Sequence, residues 1–396
     1  MQRASISSTH IPAIDGLRAL AVFAVVLYHL GISWIPGGFL GVDLFFVISG
    51  YVITRLILDS IESANGLDIK KFYAARIRRL FPGLIVLLVV TAVVIALFAP
   101  DAIRRFIQDI PFVLTGTNNW HLVALQQDYF QAIGRPPLLQ HTWSLAVEFQ
   151  FYLIWPIFIL LISKMGLRKI KWAIFSVFVI SLLFSIWQTQ SSSILAFYSL
   201  HTRAWELAAG ALILFIPKSF SSKLVKYQQV PFLVGLGLIG YAITFFNSQT
   251  PFPGTAALVP VIGTLLLINS IGNWPKAAGV ISNNKTTQWL GAISYSLYLW
   301  HWPALLLPSI YLDRPLEVSE KILCVIITIV LAHLTYKFVE QPVRYANLAT
   351  KTVYKTLAGA FVTITVISVV IINSHTTAIY VKEINKSFDL VELRRT

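Results

Sequence analysis

The stretch Leu84-Ile-Val-Leu-Leu-Val-Val-Thr-Ala-Val-Val-Ile-Ala-Leu-Phe98 decides the fold class. It holds no charged residue, and its apolar residues are interrupted only by Thr91. Trp172–Trp187 reads the same way. Strands of an outer-membrane barrel alternate apolar and polar residues with period two, so these runs are not barrel strands. In hydrocarbon, where no water takes up the N–H and C=O groups, such a run satisfies its backbone only as a helix. The rest of the chain agrees. Of its 396 residues, 56% are hydrophobic and only 12% are charged, against about 25% charged in ordinary soluble domains. Mean hydropathy is +0.72. A soluble fold of this size has no means of hiding so much apolar surface. The composition excludes a soluble enzyme, a disordered chain and a secreted disulfide scaffold. The expected fold is all-α, a polytopic integral membrane protein.

Eleven apolar spans are expected, at about 13–30, 39–58, 81–99, 144–163, 170–187, 201–216, 230–246, 256–272, 288–308, 320–340 and 353–373. At roughly 20 residues each, they take up over half the chain and leave no room for a soluble domain. The longest connection runs from about 100 to 143, and Phe112–Leu125 within it reads as a re-entrant or interfacial segment. No internal repeat is visible. The first span is expected to be a retained helix and not a signal peptide: it lacks a basic n-region and a small-residue cleavage site, and it carries Asp15 and Arg18. With the N-terminus placed in the cytoplasm, the inner loops hold 18 Lys and Arg and the outer loops and tail hold 8. That asymmetry follows the positive-inside rule and places the tail after about residue 374 outside. The net charge of +14 is therefore read as topology, with no nucleic-acid partner expected. The single cysteine, Cys324, excludes disulfides and thiolate metal sites within the chain.

A charge at the centre of a membrane helix costs about 2.5–3.5 kcal/mol on insertion scales, so each one points to a function. Here they sort by depth into two layers. The inner layer holds Asp15, Arg18, the set Arg76-Ile-Arg-Arg79 just before the third span, Glu340 and Arg344. The outer layer holds His29, Asp43, His141, Glu148, Arg203, Glu206 and His301. Arg18 and His29 are eleven residues apart, so they share a helix face and stand about 16 Å apart along the axis. Asp43 enters the second span at a depth similar to His29, and a carboxylate there is suited to orient the imidazole. Blander readings stand beside these. His29 also fits an interfacial histidine, Asp43 a structural partner, and Arg76, Arg78 and Arg79 plain topology charges. Trp143, Trp300 and Trp302 fit an aromatic belt. His121, His333 and His375 carry no motif.

At these residues the sequence resembles the bacterial membrane acyltransferase-3 family, whose members O-acetylate lipopolysaccharide O-antigen and other extracytoplasmic glycans. The matching stretches begin with Ile14-Asp-Gly-Leu-Arg-Ala-Leu-Ala-Val22, running on to His29, and Gly38-Phe-Leu-Gly-Val-Asp-Leu-Phe-Phe-Val-Ile-Ser-Gly-Tyr51. Arg76-Ile-Arg-Arg-Leu-Phe-Pro82 and His141-Thr-Trp-Ser-Leu-Ala-Val-Glu-Phe-Gln-Phe-Tyr152 follow, then Ser294-Tyr-Ser-Leu-Tyr-Leu-Trp-His301 and Glu340-Gln-Pro-Val-Arg344. The resemblance implies a ten-helix acyltransferase domain over 1–345. A linker, an eleventh transmembrane helix and a short periplasmic tail would fill 346–396. It also implies that the family's Arg-x10-His pair falls on Arg18 and His29, with the His essential. Its donor-holding Arg-x-x-Arg motif falls on Arg76 and Arg79. Many members go on to an SGNH-type domain. This chain resembles one cut off before that domain or one that never had it, and no Gly-Asp-Ser block supplies a second nucleophile.

The expected reaction moves an acetyl group from cytoplasmic acetyl-CoA, acting as co-substrate, across the bacterial inner membrane to a hydroxyl of a periplasmic or lipid-linked glycan. O-antigen is the expected example. No metal is expected. Arg18, Arg76, Arg79 and Glu340 are the expected donor site, since the Arg fork suits phosphate. His141, Trp143, Glu148, Arg203 and His301 are the expected acceptor site. His29 and Asp43 are the expected catalytic pair, because a hydroxyl needs a general base at neutral pH. Direct attack by the deprotonated sugar and a transient acetyl-His29 both remain open. A transporter or flippase for an anionic or glycan substrate is the rival reading, weakened by the lack of an inverted repeat.

Overall fold

The computed structural model describes residues 10–63, 66–130, 136–216, 229–346, 348–364 and 366. Among these there is no strand, and the protein is an all-α polytopic membrane protein. The helices are α1 (Pro12–His29), α2 (Gly41–Glu62), α3 (Ile69–Phe98), α4 (Ile103–Thr115), α5 (Asn118–Ala124), α6 (Trp143–Ser163), α7 (Leu167–Ser191) and α8 (Ser193–Tyr198). They continue with α9 (Leu200–Leu212), α10 (Val230–Phe245), α11 (Leu258–Asn269), α12 (Gly279–Ser282), α13 (Lys285–Ala292), α14 (Ser294–Leu312), α15 (Val318–Thr335) and α16 (Gln341–Tyr345). A π-helical turn, Tyr336–Glu340, joins the last two.

Helix stands at each of the eleven expected positions, the last over 350–364 with the remainder of that span outside the described residues. Among the described residues six segments are long and apolar enough to cross a membrane unaided. They are Pro12–His29, Gly38–Glu62, Ile69–Phe98, Gln140–Ser163, Leu167–Ser191 and Val318–Tyr345. Lys218, Lys223, Lys226, Arg135, His375 and the tail after 374 lie outside the described residues.

Local chemistry explains the helix ends. Pro12 begins α1, where its missing N–H costs nothing. Asp68 caps α3 by accepting from the Lys71 amide at 3.0 Å. Glu317 and Glu320 form a capping box at α15. The connection between 100 and 143 folds into α4 and α5, turned at Gly116 with φ +68. At 13 and 7 residues both are too short to span a membrane.

The third span needs a correction. Its helix starts at Ile69 and runs 30 residues, about 45 Å. Arg76, Arg78 and Arg79 are thus inside the helix rather than before it. The apolar pattern marks where hydrocarbon begins, and the backbone goes on as helix beyond it.

Helices α1, α2, α9 and α14 and the first turns of α6 make the centre of the bundle. There α2 and α9 cross very closely. A Cβ on Gly50 would meet the Leu207 backbone, and one on Gly210 would meet the Val47 carbonyl. Small residues at a membrane helix crossing allow this approach, and packing then supplies the association energy. Helices α7 and α15 are peripheral, with only 22% of their apolar windows buried.

Candidate active site

A cavity of about 710 Å³ enters the bundle at the end where α1 begins. Exposed Tyr345 stands on its rim. Five arginines line it: Arg18 from α1, Arg55 from α2, Arg76 and Arg79 from α3, and Arg344 from α16. Four carboxylates line it too: Asp15, Asp59, Glu148 and Glu340. The pairings are uneven. Arg55 lies 3.7 Å from Asp59, and Arg18 lies 3.8 Å from Asp15. Glu148 accepts from the Ser49 and Tyr152 hydroxyls. Glu340 accepts from Ser296. Among the described residues no carboxylate reaches ion-pair distance of Arg76, Arg79 or Arg344, and the buried Arg76 Nε has no hydrogen-bond partner. The cavity therefore offers guanidinium groups to an anion, with Arg76 and Arg79 at i,i+3 on one helix face. Arg78 points elsewhere and donates to the Ala346 carbonyl at 3.3 Å. The π-helical turn ends on Glu340, and both Tyr336 and Glu340 line the cavity. Such turns are common at functional sites.

The deep end of the cavity is made by Phe45, Ser144 and Tyr298. The Tyr298 hydroxyl pairs with Ser144 Oγ at 2.6 Å and donates to the His141 carbonyl at 2.7 Å. One turn further along α14 stands His301, buried. Its Nδ1 is 2.6 Å from the Tyr298 carbonyl, and its Nε2 is 3.2 Å from His29 Nδ1. His29 Nε2 in turn is 3.0 Å from the Tyr129 hydroxyl. The indole of Trp302 stands edge-on to the His29 ring at 4.8 Å. The His141 ring lies 5.6 Å from that of His301, and neither of its buried nitrogens has a partner. Three imidazoles and a phenol thus gather just past the end of the cavity.

A third cluster lies to the side. Arg203, 1% exposed, donates to Asp43 at 2.9 Å and to Glu206 at 2.7 Å, and its Nε donates to the Phe197 carbonyl. Phe46, Trp143, Phe197 and Phe252 surround the guanidinium at 5.0–5.9 Å. One buried arginine thus faces two buried carboxylates inside an aromatic shell.

The family described as an acyltransferase domain matches residues 11–372. The chain belongs to the membrane acyltransferase-3 family. It is 34% identical over 353 residues to the peptidoglycan O-acetyltransferase OatA of Listeria monocytogenes, covering 85% of this chain and 56% of that one. It is 32% identical over 351 residues to a putative peptidoglycan O-acetyltransferase, YrhL, of Bacillus subtilis, covering 85% and 55%. A putative O-acetyltransferase of Staphylococcus aureus is 34% identical over 349 residues, covering 85% and 57%. The chain thus spans a little over half the length of these relatives. No solved structure matches it.

In this acyltransferase-3 member the sequence-based site is partly assembled and partly rearranged. Arg18, Arg76, Arg79 and Glu340 come together in the cavity. His29, His141 and His301 come together beyond it. Asp43 is held by Arg203 and, among the described residues, makes no hydrogen bond to His29. For a buried carboxylate, a guanidinium outcompetes a neutral imidazole. Arg203 and Trp143 are both buried in that cluster. Glu148 belongs to the inner cavity, not the outer layer: seven residues after His141, it sits about 10 Å further along α6. Trp300 and Trp302 are tied inward, to Thr335 Oγ1 and the Pro137 carbonyl, both at 2.9 Å. His121 pairs with Asp109 at 3.1 Å, and His333 accepts from Trp289 at 3.1 Å. Sequence reasoning missed Tyr129 and Tyr298. Tyr129 lies in an irregular connection with no spacing rule to expose it. Tyr298 lies within Ser294–His301, three residues before His301, and that helical spacing is its signal in the sequence.

Proposed function

We propose that the chain is the membrane part of an O-acetyltransferase that moves an acetyl group from acetyl-CoA to a hydroxyl of a peptidoglycan-type glycan. One observation carries this reading: a cavity with unpaired guanidinium groups ends one helical turn from a hydrogen-bonded imidazole pair. Arg76, Arg79 and Arg344 suit the phosphates of the donor, and the thioester arm then points along the cavity toward Tyr298 and His29. His29 Nε2 takes the proton of the acceptor hydroxyl, and that oxygen attacks the thioester carbonyl. The carbon–sulfur bond breaks, and the proton passes from His29 to the departing thiolate. The hydroxyl facing Nε2 in the structure is that of Tyr129, and an acceptor hydroxyl takes the same place. The relatives' names favour peptidoglycan over O-antigen as acceptor, and the family favours group transfer over transport. The bacterial inner membrane, with the N-terminus cytoplasmic and the tail periplasmic, is the proposed setting.

The test uses the chain in proteoliposomes with labelled acetyl-CoA and peptidoglycan oligosaccharides. Release of coenzyme A thiol, together with base-labile acetate on the glycan, is the expected result. His29→Ala should reduce it by about 10²–10⁴-fold, the usual contribution of a positioned general base. Normal turnover by that variant would overturn the reading.

A further inference from the structure

We infer that His301 is a positioning residue that fixes the tautomer of His29 and does for it what a buried carboxylate does in other hydroxyl-activating sites. The inference rests on the reading of His29 as the base. Three hydrogen bonds in series carry it. A carbonyl only accepts, so the 2.6 Å contact with the Tyr298 carbonyl places the His301 proton on Nδ1. The neutral His301 ring then has a lone pair at Nε2. His29 Nδ1, 3.2 Å away, must donate to it. That leaves His29 with a free lone pair at Nε2, which accepts from the Tyr129 hydroxyl at 3.0 Å. The chain has one direction only: carbonyl, His301, His29, hydroxyl. Reversing either imidazole would set two acceptors or two donors against each other.

The series also explains why no acid is needed. Among the described residues no carboxylate hydrogen-bonds His29, and the nearest expected one, Asp43, is held by Arg203. A second neutral imidazole costs less to bury than an ion, yet still accepts the Nδ1 proton. It becomes a stronger acceptor for His29 when transfer makes that ring an imidazolium. The Tyr298 carbonyl anchors His301 from the preceding turn of the same helix, so the pair is held by backbone and not by a mobile side chain. Tyr298 thereby serves both compartments: its ring closes the cavity and its carbonyl sets the proton order beyond.

The experiment compares His301→Leu and His301→Gln in the full chain, in proteoliposomes, with acetyl-CoA and peptidoglycan oligosaccharides. His301→Leu should lower kcat by about 100-fold or more with KM for acetyl-CoA unchanged, since losing the right tautomer removes most of the general-base contribution. His301→Gln, whose Oε1 accepts from His29 Nδ1 while its amide donates, should recover at least a tenth of the lost rate. Nitrogen NMR of ring-labelled His29 should show the proton on Nδ1 in the parent chain and in His301→Gln, but not in His301→Leu. A loss that lies in acceptor KM would make His301 a glycan contact and overturn the inference. Equal losses in both variants with an unchanged His29 tautomer would overturn it as well. The underlying reading fails separately, through an active His29→Ala.

Discussion

At the residue scale, the proposed base, His29, sits in a neutral environment. Its neighbours are an imidazole, a phenol and an indole, where the residue pattern had suggested a carboxylate. Asp43 instead belongs to the Arg203 cluster, and this changes what its removal should do. Asp43→Ala removes one of two carboxylates and leaves Arg203 paired with Glu206, so the cost is that of one buried charge-assisted hydrogen bond, about 1.5–3 kcal/mol. A clear fall in melting temperature in detergent is expected. The folded fraction should lose far less turnover than His29→Ala does. An equal loss of turnover at full stability would return Asp43 to the catalytic pair.

At the element scale, α3 divides its arginines between two surroundings. Its first turns carry three arginines, but helical geometry sends only Arg76 and Arg79 to the cavity. Arg76→Ala and Arg79→Ala should each raise KM for acetyl-CoA by about ten- to a hundred-fold, the value of one charge-assisted hydrogen bond. Arg78→Ala should leave it near the parent value. Titration calorimetry with coenzyme A checks both. If all three variants behave alike, these arginines act only through net charge. The α2–α9 crossing makes the second element-scale prediction. Gly210→Ala forces a methyl against the Val47 carbonyl. Overpacking of this kind costs about 1–3 kcal/mol, so the melting temperature should fall although the substitution improves helix propensity.

At the scale of the whole molecule, the cavity and the histidine cluster occupy successive depths of one bundle. Helix α1 links them, with Arg18 on the cavity wall and His29 in the cluster. The donor should therefore work from one face of the membrane only. In proteoliposomes of a single orientation, acetyl-CoA is expected to be consumed when supplied on the face where α1 begins. Supplied on the opposite face, it should not be. Equal consumption from both faces would mean that the cavity is not the donor entrance.

What the sequence determined by itself was whatever depends on local chemistry. Unbroken apolar runs dictate helices in hydrocarbon, and charged residues within them point to a candidate site, so the all-α class and most residues of the cavity and the histidine cluster were legible. The shared face of Arg18 and His29 was legible too, because one helix carries both. Tertiary structure alone decided which group pairs with which. Asp43 and Arg203 are 160 positions apart, and His29 and His301 are 272 apart. No periodicity reaches across such separations. Only the packed bundle brings these side chains within hydrogen-bond reach.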